Sequence, residues 1–175
     1  EHAEAIAEFR SILQNNPDDW GATMGAFDAM LPASAQSSPD ESQEWNEADL
    51  ELGLQRAQAL VRNLQEWQAA EPSLKRIRGP QLSLVELAMR RLTMGGKGLD
   101  VSRCPLEYPG QSARSPAAGE GPAWDLAAAL MVYCQAHGHT TSLAADTRRY
   151  ARTVVEASAE ASAWLEGELR AQATA

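Results

Sequence analysis

Cys134, His137 and His139 bring a thiolate and two imidazoles close together in a chain of 175 residues, and these are donor types that suit zinc. Cys134 and His137 stand one helical turn apart, with Cys104 as a candidate fourth ligand. The spacing C-x2-H-x-H is not a standard zinc frame, and each residue also has an ordinary role. Cys134 reads as a core thiol, His137 as a last-turn residue favoured by the helix dipole, and His139 as a loop residue after Gly138. No metal or other cofactor is therefore expected. A Cys-His nucleophile is not expected either, because no third group orients the pair.

Three further groups carry chemical potential. Met94-Gly95-Gly96-Lys97-Gly98 has the glycines and lysine of a phosphate-cradling loop, but it follows a helix, where the dipole has the wrong sign for an anion. It reads as a helix stop. Glu41, Glu44, Glu47 and Glu51 are spaced as the solvated face of a helix rather than as a catalytic pair. Lys75, Arg76, Arg78, Arg90 and Arg91 are the candidates for contact with an anion or a nucleic acid, and Arg148, Arg149 and Arg152 form a smaller basic group. No set of nucleophile, base and stabiliser assembles from these residues, so the chain is not expected to be an enzyme.

The net charge of −9 is unevenly placed. Residues 1–71 carry 14 acids against 3 bases, residues 72–103 carry 2 against 7, and residues 104–175 carry 8 against 5. A basic middle between acidic flanks either meets a polyanion or is neutralised inside the fold by the acidic third. The second outcome is the leading one, because the protein is acidic overall and no aromatics interleave with the basic clusters.

Positioning these groups falls to helices, since apolar residues recur at steps of three and four along most of the chain. Ile6, Phe9 and Leu13 mark the first helix, and Asn16-Pro17-Asp18-Asp19 starts a second, with Asn16 as cap and Trp20, Met24, Phe27, Met30 and Leu31 as its apolar set. Residues 1–31 are thus a helical hairpin, followed by a linker at 32–44 that contains a capping-box pattern, Ser38-Pro39-Asp40-Glu41. Central helices fill 45–94. One uses Leu50, Leu54, Ala57, Val61 and Leu64, broadened by Leu52, Leu60 and Trp67. The next starts at the capping box Ser83-Leu84-Val85-Glu86, stapled by Leu82 and Leu87. Residues 95–122, with six glycines and four prolines, read as a flexible loop with tryptic sites at Arg103 and Arg114. A C-terminal hairpin over 123–172 closes the domain, its first helix apolar nearly all round and its second running from Ser142 through Tyr150, Val154 and Leu169. The fold class is all-α, an irregular bundle of about six helices in one domain.

The run from Glu4 to Phe9 and on through Asn16-Pro17-Asp18-Asp19, with Ala5, Phe9, Ile12 and Pro17 at the matching spacings, resembles the second helix of a tetratricopeptide repeat. The likeness covers residues 3–19 only. The next repeat would need a bulky aromatic, a leucine and a small residue where this chain has Thr23, Ala26 and Phe27. The resemblance implies protein or peptide binding without catalysis. The expected function is accordingly a helical protein interaction or scaffold domain within a larger assembly, its partner another protein. The alternative is a small regulatory protein that contacts nucleic acid through residues 75–103. No apolar run reaches the roughly 18 residues of a membrane span, so no membrane partner is expected, and two cysteines suit a cytoplasmic setting.

Overall fold

A computed structural model of the chain describes residues 2–31, 47–96, 100–108, 119–137 and 145–174. These residues form an all-α bundle of seven helices: α1 His2–Asn15, α2 Trp20–Met30, α3 Glu47–Ala70, α4 Gly79–Gly96, α5 Pro122–His137, α6 Ala145–Ala157 and α7 Ala159–Thr174. None of them is long and apolar enough to cross a membrane. The capping-box pattern at 38–41 and the linker at 32–44 lie outside the described residues.

Helices α1 and α2 pack against each other across a short turn whose capping differs from the expected one. Asn16 Oδ1 accepts from the Asp18 amide at 3.2 Å, while Asp19 Oδ1 accepts from the Ala22 amide at 3.0 Å. Asp19, not Asn16, is therefore the N-cap of α2. Asn16 closes a local turn instead, and Pro17 is buried in that turn rather than helical. Helix α3 buries Leu50, Leu54, Ala57, Leu60, Val61 and Leu64 as its periodicity demands, but Leu52 remains 44% exposed. It passes close to the end of α2, where a Cβ on Gly53 would come within 2.2 Å of the Met30 carbonyl oxygen, so the crossing requires glycine there.

Helix α4 begins four residues before the Ser83 capping box. Its first amide, Gly79 N, donates to Asp18 Oδ1 at 2.8 Å, a cap supplied from the α1–α2 turn. Pro80 follows without an N–H to satisfy, and Ser83 Oγ donates to the Pro80 carbonyl at 2.6 Å inside the first turn. A tertiary cap thus overrides a local one. Glu86, released from any capping duty, is buried in the core.

Helix α5 is buried nearly all round, from Leu126 to Met131 and again at Tyr133 and Cys134, and it packs along α4 as the centre of the bundle. The segment expected as a uniform loop over 95–122 is not one. Gly95 and Gly96 finish α4, Pro122 starts α5, and residues 100–108 are docked, with Val101, Cys104, Leu106 and Tyr108 buried. Neighbouring side chains satisfy its backbone. Arg91 Nη2 donates to the Val101 carbonyl at 3.1 Å and Gln58 Nε2 to the Pro105 carbonyl at 2.5 Å. A chain can bury apolar side chains without periodicity when its polar backbone finds such partners.

The last predicted helix is two. Ser158 interrupts it, its Oγ accepting from the Ala161 amide at 3.2 Å to cap α7. The break lets Tyr150 and Val154 on α6 and Ala161 and Leu165 on α7 all reach the core. Trp164 then packs on Trp124 of α5, with ring centroids 6.1 Å apart.

Candidate functional site

The residues named for metal chemistry do not assemble a site among the described residues. Cys104 and Cys134 are both buried and unbridged, burial raises both thiol pKa values, and His139 lies outside the described residues. Nε2 of His137 is 2.8 Å from Gln81 Oε1 and donates to it. Burial, helped by the Arg78 charge and opposed by Asp18, lowers the His137 pKa. The shift disfavours the charged form of the imidazole at the end of α5. Lys97 and Gly98 of the glycine-rich stop, like Glu41 and Glu44, lie outside the described residues, and Glu51 is half-buried on α3.

The five basic candidates do not form one surface. Lys75, Arg76 and Arg78 are exposed in the connector after α3, whereas Arg90 and Arg91 are each only 3% exposed. Arg90 Nε pairs with Glu86 Oε1 at 3.1 Å and its Nη2 with Asp28 Oδ1 at 2.8 Å, while the guanidinium lies over the Phe27 ring. Glu86, 1% exposed, also receives Arg149 Nη2 at 3.2 Å and the Tyr150 hydroxyl. Burial first, and the Glu86 charge next, drive the Tyr150 pKa far above its usual value, so the phenol stays a donor to that carboxylate. Arg91 Nη1 pairs with Asp125 Oδ2 at 2.9 Å, and Tyr108 donates to the same Asp125. The two arginines neutralise acids inside the bundle and tie α4 to α2, α5, α6 and the docked segment. Position on a buried helix face, not local sequence, sets their role.

Two concavities among the described residues bear on function. One, of about 200 Å³, lies between α3, α4 and the docked segment and is lined by Gln58, Gln65, Leu84 and Leu106, with the 2.5 Å Arg62–Glu107 ion pair also in its wall. Most of its polar groups are engaged by the chain itself. The other, of about 270 Å³, is a groove between α1 and α3. Ala3, Ile6 and Ala7 line it from α1, Ala59 and Leu60 from α3, and Met30 from the end of α2. Arg10 and Arg56 line it too, both are exposed, and neither has an ion-pair partner among the described residues.

That pairing of an apolar lining with two unengaged cations is conspicuous because residues 1–71 contain only three bases, Arg10, Arg56 and Arg62. Arg62 is bonded to Glu107, and the other two share this groove. Sequence reasoning missed the groove because Ala3 and Ile6 count equally well toward a buried stripe. Its available signal was the scarcity of bases in the acidic third. No protein-family model, no curated protein and no solved structure matches the chain.

Proposed function

We propose that this domain is a helical protein interaction module, one part of a larger assembly, that receives its partner in the groove between α1 and α3. The observation that carries the reading is the groove itself: an apolar lining, with two arginines of an acidic region beside it that have no ion-pair partner among the described residues. Small alanine side chains on both walls let a partner approach the helices closely, and an apolar lining gains free energy when that partner excludes water from it. The helix that bears the tetratricopeptide-like pattern is also the helix that forms one wall, which supports the same reading. Two buried, unbridged thiols support a cytoplasmic setting.

Photo-crosslinking in cells of the native host tests this. A benzophenone amino acid placed at Ala3 or Ala7, both exposed on α1, should give discrete protein adducts, while the same probe at exposed Arg76 should not give those adducts. If the groove positions yield no protein adduct, or only those seen at Arg76, the reading fails.

A further inference from the structure

Building on the module reading, we infer that the groove between α1 and α3 takes an acidic amphipathic helix, whose apolar stripe seats on the groove and whose carboxylates meet Arg10 and Arg56.

The shape argument comes first. Ala3, Ala7 and Arg10 lie on one face of α1 over about two turns, roughly 10 Å of helix. On α3 the exposed Leu52 stands four residues before Arg56 and seven before Ala59, so it prolongs the same face by one turn. The surface offered is therefore a strip between two helices, suited to apolar anchors at i, i+3 or i+4, and i+7.

Backbone chemistry selects helix over extended chain. The α3 wall from Arg56 to Leu60 is mid-helix, and on α1 only Ala3 falls in the first turn, so most of the wall backbone on these two helices is bonded within its own helix. An extended peptide pressed there would bury backbone groups with no partner, at a cost that a helix avoids by bonding to itself.

Charge then selects acid. Arg10 and Arg56 are without ion-pair partners among the described residues, in a region where acids outnumber bases 14 to 3. A guanidinium grips a carboxylate through two parallel hydrogen bonds, which fixes register along the strip. A lysine-rich helix would instead place its ammonium groups against these two cations. A nucleic acid fits poorly, since the apolar lining offers nothing to a phosphate backbone and the net charge of −9 opposes its approach.

The test uses two fluorescein-labelled synthetic peptides of about 16 residues, sharing one leucine stripe and differing only in flanking glutamates or flanking lysines. Anisotropy titrations of the whole domain should show the glutamate peptide binding about tenfold or more tightly at low salt, the difference shrinking as salt rises. The double reversal R10E/R56E alters two exposed side chains, so its circular dichroism should match the unaltered protein while its preference switches to the lysine peptide. Equal binding of the two peptides, or a preference unmoved by the reversal, overturns the inference. So does equally tight binding of unstructured polyglutamate, which would make the site a plain charge contact. Self-association that R10E/R56E abolishes, seen by sedimentation, would overturn it in favour of a second copy of this chain. Crosslinks from Ala3 and Ala7 together with no peptide preference defeat this inference alone. Missing crosslinks defeat the module reading beneath it.

Discussion

Arginine does opposite work in two regions of this molecule. On α4, Arg90 and Arg91 are enclosed, Arg90 holding Glu86 of its own helix and Asp28 of α2, Arg91 holding Asp125 of α5 and the Val101 carbonyl. On α1 and α3, Arg10 and Arg56 stand exposed beside an apolar groove with no acid of the described chain engaged. The first pair costs desolvation and returns a unique packing; the second leaves its charge available to whatever arrives. The proposed surface function thus falls where the sequence is poorest in bases, while its richest basic segment is partly turned inward.

The sharpest way to break the contrast is Glu86→Ala. It strips Arg90, Arg149 and Tyr150 of a shared, buried acceptor and should cost about 3 kcal/mol or more, since an enclosed cation keeps only the exposed Asp28 as partner. Urea unfolding measures this, and a loss below about 1 kcal/mol would mean the network is dispensable. Next comes Arg91→Met, which leaves the Val101 carbonyl and Asp125 short of a donor and should cost about 2 kcal/mol. Trypsin should then cut after Arg103 faster than in the unaltered protein, because Arg91 anchors the docked segment.

Asp18→Ala should cost about 1 kcal/mol by removing the acceptor that caps α4, an effect readable in the thermal midpoint. A gentler effect belongs to His137. Its folded pKa lies below the unfolded value of about 6.5, so the unfolded chain binds the proton first as pH falls. The contribution is complete above that pH and declines below it until the folded ring also titrates. His137→Gln should flatten this part of the stability profile between pH 7 and 5. Smallest of all, Arg10→Gln and Arg56→Gln should each leave stability within about 0.5 kcal/mol, as befits exposed residues without ion-pair partners among the described residues. A larger loss at either would place it with Arg90 and Arg91 and erase the comparison.

Much of the bundle was legible in the sequence. The stripes of α1, α2, α3 and α5, the turn at 16–19 and the glycine stop of α4 depend on neighbours within one or two helical turns, which a linear reading can see. What escaped it depended on distant partners. The early start of α4 needs Asp18, the docking of 100–108 needs Arg91 and Gln58, and the burial of Arg90 needs Glu86 together with Asp28 on another helix. The break at Ser158 was present as a residue able to cap, yet nothing local showed that packing would call on it. As for the groove, its residues Ala3, Ile6 and Leu60 carry the same apolar signature as the core, and only the placing of neighbouring helices separates covered from open.

The cap at Gly79 also bears on how the chain reaches its native state. Its acceptor is 61 residues earlier, so the first turn of α4 must await closure of a long loop, whereas Ser83 to Glu86 can nucleate a helix at once from neighbouring residues. The sequence thus holds two starting points for one helix, an early provisional one and a late definitive one. On this two-start scheme the provisional start dissolves when the hairpin docks, and Glu86 then enters the core. In the Asp18→Ala protein, hydrogen exchange should quicken at the amides of Gln81 and Leu82 while those beyond Glu86 stay protected; uniform protection along α4 would rule out the two-start scheme. Slowed exchange confined to the first turn in the unaltered protein would place the order of assembly in a single helix end, with α4 extending backwards by one turn after α1 and α2 dock.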